Sequence, residues 1–146
     1  LSRPEGVDKV KLEKSVFRYI EHELYNYKYT IQTIADLREN IIGAVPLRET
    51  VPGTGYISDP TARKATKLVT NTALARMTRT VAAIEKALNR LNQDHRAVFE
   101  LKYCQSLPWK KVCDELPVSE RTYFRLRREL VYMVALELGL AETWQE

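Results

Sequence analysis

The chain has 146 residues, of which 45% are hydrophobic and 29% charged, a size that allows one domain carrying an extended arm but not two large ones. No apolar run approaches the length of a membrane span, two cysteines without a preceding signal-peptide pattern do not make a secreted disulfide scaffold, and His22 and His95 stand outside any metal-ligand spacing. These limits predict a soluble protein of a reducing cytoplasm with no metal and no cofactor.

The start at Leu1 rather than Met suggests a missing or replaced native start. The net charge of +4 is unevenly spread, with seven Lys and Arg against one acidic residue, Glu85, over residues 60–91.

From residue 10 to 45 no Pro appears, and apolar residues recur at Phe17, Ile20, Leu24, Tyr27, Ile31, Ile34, Ile41 and Val45. Gaps alternating between three and four, except where Arg38 holds the expected position and Leu37 substitutes beside it, predict one long amphipathic helix with a heptad-like stripe. At about 1.5 Å per residue it would span about 50 Å, and its stripe needs a partner helix. Within this stretch Tyr25 and Tyr29 should share a face while Tyr27 joins the stripe, a pattern of helix packing rather than base stacking.

Residues 46–59 hold Pro46, Pro52, Gly53 and Gly55 and read as a loop. Ser58 or Asp59 can then cap a second long helix with Pro60 in its first turn. Its stripe, Met77, Val81, Ile84, Leu88 and Leu91, is the natural partner of the first. The expected N-terminal part, 1–91, is therefore a helical hairpin or a coiled-coil arm. Periodicity does not distinguish pairing within one chain from pairing between two, and a homo-oligomer, preferably a dimer, is expected.

Residues 92–141 hold three shorter helical signals. The first is NQDHRAVFELKYCQ, capped by Asn92 or Asp94, with Val98, Leu101 and either Phe99 or Lys102 to Tyr103 facing inward. The second is LPWKKVCDEL, with Pro108 in its first turn and Trp109, Val112, Cys113 and Leu116 at helical spacing. After Pro117 and Val118, Ser119 is a cap for a third helix that Gly139 ends. Its buried stripe should be Tyr123, Leu126, Leu130, Met133 or Val134, and Glu137 to Leu138, which leaves Arg121, Thr122, Phe124, Arg125 and Arg128 outward.

A basic face at the start of a helix, presented by a short turn from the helix before it, suits reading of the DNA major groove. Arginine can bond two acceptors of a guanine edge, while Phe124 or the Thr122 methyl can touch a thymine methyl. Lys110 and Lys111 are placed for phosphates. The competing reading makes Arg125, Arg127 and Arg128 a solvated charged face answered by Glu129. The expected fold is thus all-α, a helical arm (1–91) followed by a helix-turn-helix DNA-binding domain (92–141) and a short tail (142–146).

The stretch RAVFELKYCQSLPWKKVCDELPVSERTYFRLRREL resembles region four of sigma factors, which reads promoter DNA. The whole chain resembles the RinA and ArpU family of phage late-gene transcriptional regulators, through YKYTIQTIADLRENII (27–42), SDPTARKA (58–65), the aromatic-Arg group Tyr123, Phe124 and Arg125, and LELGL (136–140). This resemblance implies a phage or prophage protein acting in the bacterial cytoplasm on double-stranded DNA, with RNA polymerase as a further candidate partner and late packaging and morphogenesis genes as targets. By position it implies a DNA-binding set of Ser119, Arg121, Thr122, Phe124, Arg125 and Arg128. At Phe124 the sequence departs from the polar residue usual in sigma region four, so no base preference carries over.

Cys104 and Cys113 occupy inward positions and read as small core residues without chemistry. No nucleophile-base order, phosphate loop or paired carboxylates support an enzyme. The alternatives to a regulator are a small terminase-like packaging protein and a polymerase-binding adaptor. The basic residues Arg63, Lys64, Lys67, Arg76, Arg79, Lys86 and Arg90 suit either DNA phosphates or the acidic first helix. Trp144 reads as a cap on the core or as a protein contact.

Overall fold

The computed structural model describes residues 12–43 and 60–142, with side chains described up to residue 40 in the first stretch. In place of one helix over 10–45, the described residues form α1 (Lys14–Tyr25) and α2 (Tyr27–Gly43). They meet at Asn26, whose φ of −89° and ψ of 3° lie in the sparsely allowed region between helix and strand. Hydrogen bonding continues past it, since the Asn26 amide donates to His22 O at 3.0 Å and the Thr30 amide to Asn26 O at 2.7 Å. The result is a bend rather than a gap.

That bend changes which side chains are covered. Ile20, Leu24 and Ile34 are buried as the stripe predicts, but Ile31 is 40% exposed, and Thr30, one position earlier, is buried in its stead. Tyr29 is 73% exposed and Tyr25 46%. Tyr25 packs edge-on against Tyr103 at 4.8 Å, while Tyr27 meets Phe99 at 5.3 Å. The loop 46–59, the caps Ser58 and Asp59, Val45 and Trp144 lie outside the described residues.

The next helix, α3 (Pro60–Arg90), opens with Pro60 in its first turn. Its threonines are accommodated by bonding back to carbonyls four residues earlier, as Thr66 does to Ala62 O and Thr72 to Leu68 O, both at 2.9 Å. Residues 60–69 are exposed throughout, and burial concentrates in the second half. There the helix has two covered sides. Toward α2, Thr78, Val81, Ala82 and Glu85 face Ile31, Ile34, Ala35 and Arg38 across a shallow groove, and Tyr27 Oη donates to Glu85 at 3.1 Å. The two long helices therefore pair within one chain.

The other side of α3 presents Ile84 between Ala83 and Ala87, the two alanines being small enough for close approach by the last helix. Of the expected stripe only Ile84 is fully buried; Met77, Val81, Leu88 and Leu91 are half-buried, because the helix divides its apolar surface between two neighbours.

Then come α4 (Gln93–Val98), which runs straight into a π-helical turn (Phe99–Cys104), α5 (Trp109–Glu115) and α6 (Glu120–Glu137). Asn92 is the cap of α4, its side-chain oxygen accepting the Asp94 and His95 amides at 3.0 and 3.2 Å. The wider π turn, seen in the Gln105 amide bonding Glu100 O at 2.9 Å, aims consecutive residues at different places. Val98 faces a small core with Val112, Tyr123 and Leu126. Phe99 and Tyr103 face the main core with Ile20, Leu24, Ile84, Ala87, Leu130, Val131, Val134 and Ala135. That main core draws on residues from both sides of position 91.

Gly139, at φ +74°, ends α6. The Leu140 amide bonds Ala135 O at 2.8 Å and the Gly139 amide Leu136 O at 3.1 Å, the paired reverse bonds of a glycine-terminated helix. Arg90 ties α3 to this end through Glu137 at 2.7 Å. No strand occurs among the described residues, which form an all-α fold, and no helix among them is long and apolar enough to cross a membrane.

Because Leu130 is fully buried where α6 enters the main core, Leu130→Ala should cost about 2–5 kcal/mol of unfolding free energy. In a urea titration this would appear as a lower midpoint at unchanged slope.

Candidate nucleic-acid interface

Pro108, with φ −65° and ψ 155°, precedes α5 rather than lying within it, so the helix begins at Trp109. Residues 116–119 turn the chain, and the Ser119 hydroxyl starts α6 by accepting the Thr122 amide at 3.1 Å. Behind the turn, Val112, Tyr123 and Leu126 close over Val98, with Leu101, Leu107, Cys113, Leu116, Val118 and Phe124 around them.

The eight residues singled out by the sequence lie on α5, at the start of α6 and along its first half, in two different conditions. Lys110, Lys111, Arg121 and Arg128 are exposed, and the Lys110 ammonium lies 5.7 Å from the centre of the Trp109 ring. Ser119 and Thr122 are engaged with each other, hydroxyl to hydroxyl at 2.9 Å. Phe124 is half-buried, held between Trp109 at 5.9 Å and Tyr123 at 5.0 Å, so its ring seals the small core instead of standing free. Arg125 is also half-buried, and its Nη1 donates to Glu129 Oε1 at 3.2 Å. Arg121, Arg125 and Arg128, spaced four and three, share one side of α6.

The three neighbouring arginines are thus not one charged face. Arg128 is exposed, Arg125 is bound to Glu129, and Arg127 is bound to α1. The Arg127 guanidinium donates to both carboxylate oxygens of Glu21, with Nε at 3.2 Å, and lies 5.0 Å from the centre of the Phe17 ring. Glu21 also accepts from Tyr103 Oη at 2.7 Å and has Lys102 at 3.9 Å. Partial burial works against the Glu21 carboxylate, but the hydrogen bonds of Arg127 and Tyr103 and the charges of Arg127 and Lys102 outweigh it and hold the carboxyl below its usual range. Burial, reinforced by Glu21, pushes the Tyr103 phenol far up.

On the opposite side of α6 a second polar group is buried. His95 Nε2 meets Glu129 Oε2 at 2.7 Å and its Nδ1 meets Asn92 Oδ1 at 2.8 Å. The sequence reading did not single out Glu21, His95 or Glu129 as site residues. One signal was available: Glu129 occupies the register of Leu126, Leu130 and Met133, where an acid is tolerated only beside a buried donor.

Among the described residues no group of His, Cys, Asp and Glu is arranged to hold a metal. Cys104 and Cys113 are free and half-buried. Burial, with Glu100 close by, raises the Cys104 thiol to about 11, and burial, with Asp114 and Glu120, raises that of Cys113. Both stay protonated and poorly nucleophilic at neutral pH.

Residues 19–135, from the second turn of α1 to the last turn of α6, match the family model DUF722, described as protein of unknown function. The chain belongs to this family. It is also similar to the transcriptional activator RinA of Staphylococcus phage phi11, 25% identical over 134 residues that cover 90% of this chain and 96% of that protein. The likeness to RinA read from the motifs is thereby borne out along nearly the whole length. No solved structure matches the chain.

A carboxyl with a depressed folded pKa stabilises fully above its unfolded value, and that stability is lost as pH falls through the folded value. The Glu21 tie should therefore be complete at neutral pH and weaken progressively as pH falls below the ordinary Glu range of about 4.3. Glu21→Gln should lower the urea midpoint at pH 7 and lose much of that deficit at pH 3; an equal deficit at both would show that ionisation of Glu21 contributes nothing. Removing the cap in Ser119→Ala should cost about 1 kcal/mol in the same assay.

Proposed function

We propose that this protein is a phage transcriptional regulator that binds specific duplex DNA through residues 92–141, with the first half of α6 as a recognition helix of a helix-turn-helix. The carrying observation is the basic side of α6, with Arg121 and Arg128 exposed and Arg125 half-buried between them, presented directly after the turn at 116–119. Full-length similarity to a phage transcriptional activator supports the regulatory role.

In this reading Arg121 and Arg128 reach bases or phosphates freely, and Arg125 does so from its bond to Glu129. Lys110 and Lys111 on α5 and the amides at the start of α6 meet the backbone. Ser119, Thr122 and Phe124 shape the turn from which the arginines project, with the edge of Phe124 available to a thymine methyl. Activation of late genes in the bacterial cytoplasm, contact with RNA polymerase and assembly as a dimer complete the reading. A dimer would place operator half-sites a whole number of helical turns apart.

Selection from a random duplex pool at near-physiological salt should enrich one motif with the wild type. Replacing Arg121, Arg125 and Arg128 together by Ala should lose it, whereas Lys110→Ala should reduce affinity for all sequences alike and lower the slope of log K against log salt by about 0.9. No enrichment by the wild type would overturn DNA reading in favour of a packaging or adaptor role.

A further inference from the structure

The Asn92–His95–Glu129 group, with His95 and Glu129 buried and Asn92 at the surface, ends at Arg125. Asn92 Oδ1 accepts two backbone amides, from Asp94 at 3.0 Å and His95 at 3.2 Å. The His95 Nδ1 that faces the same oxygen at 2.8 Å must donate to it. At the far side of the ring, Nε2 stands 2.7 Å from Glu129 Oε2. The second oxygen of that carboxylate, Oε1, is then the one that accepts Arg125 Nη1 at 3.2 Å. His95 and Glu129 side chains are 6% and 11% exposed, against 31% for Arg125.

A buried pair of this kind is a weak device for stability alone, since apolar side chains of similar volume often serve as well. Its arrangement does something that apolar packing would not. The inner oxygen of Glu129 is fixed from the core, so the outer oxygen is presented in one place, and the guanidinium it binds is confined before any ligand arrives. Among the described contacts only one of the five Arg125 N–H donors is used by Glu129.

Resting on the DNA-reading function proposed above, we infer that Asn92, His95 and Glu129 are positioning residues that hold the Arg125 guanidinium preorganised for a two-acceptor target on DNA, a guanine edge above all. Arg121 and Arg128 have no such brace and contribute mainly attraction to phosphate. Base discrimination within the basic side of α6 is thereby concentrated in its middle arginine.

A double-mutant cycle on the selected DNA motif tests this. Glu129→Gln keeps the volume and can still pair with His95, but it replaces the carboxylate that binds Arg125 by a neutral amide and so weakens the brace. Affinity of Glu129→Gln for the motif should fall about tenfold, with little change for random DNA; in the Arg125→Ala background the same substitution should cost less than about twofold. Equal losses in both backgrounds, or no loss in either, would overturn the inference. Should Glu129→Gln not fold, as judged by its thermal transition, His95→Gln enters the same cycle with the same expected coupling to Arg125. Discrimination that survives Arg125→Ala but is lost in Arg128→Ala would refute the inference and leave DNA reading intact, whereas a wild type that selects no motif removes both.

Discussion

Burial of the apolar side of α6 is the constraint on which the other elements depend. Its first half, through Tyr123 and Leu126, fills the small core; its second, through Leu130, Val131, Val134 and Ala135, fills the main one. Each remaining helix is placed by what it adds to one of these halves: α5 to the first, α1 and α3 to the second, and the α4 and π-helical run to both. The helix α2 is the exception, since it is positioned on α3. A rod anchored in this way at two points has little freedom to tilt, and a stiff support is what a row of surface side chains needs in order to meet a ligand in fixed register.

Charge is used at the edges of these cores in two ways. On one side of α6, Arg127 reaches Glu21 and fastens α1, an attachment in which an arginine that looks like part of a basic surface is consumed internally. On the other side, Glu129 divides its oxygens between His95 and Arg125. The visible density of Lys and Arg in ERTYFRLRREL therefore overstates the free charge: two of its four arginines are held by carboxylates, and Arg121 and Arg128 remain exposed.

Much of the architecture was legible because it rests on local chemistry. Ser119 and Asn92 are caps by virtue of their own side chains, Pro60 sits where a missing amide costs nothing, and Gly139 takes the positive φ that ends α6. What was not legible depends on partners distant in sequence. The bend at Asn26 leaves apolar periodicity nearly intact, so it does not announce itself, yet it uncovers Ile31. The π turn has no composition of its own; it is explained by Val98 and Phe99 serving different cores. Of the proposed site, the eight residues lie on α5 and the first half of α6, as their order in the sequence implies, but the condition of Arg125 and Phe124 was hidden, because Glu129, itself fixed by His95 from another helix, and Trp109 on α5 act on them and the sequence shows only their types.

The π turn also determines how the two cores are joined. Val98 and Phe99 are joined by a single peptide bond and are rooted in separate cores, so no slack exists between the part of the chain that bears α5 and the part that bears α1. Val98 and Phe99 thus join the small core beneath the basic side of α6 to the main core that holds α1 and α3. The exposed first third of α3, residues 60–69, extends from the same main core that this junction joins to the α5–α6 turn, with no linker between them.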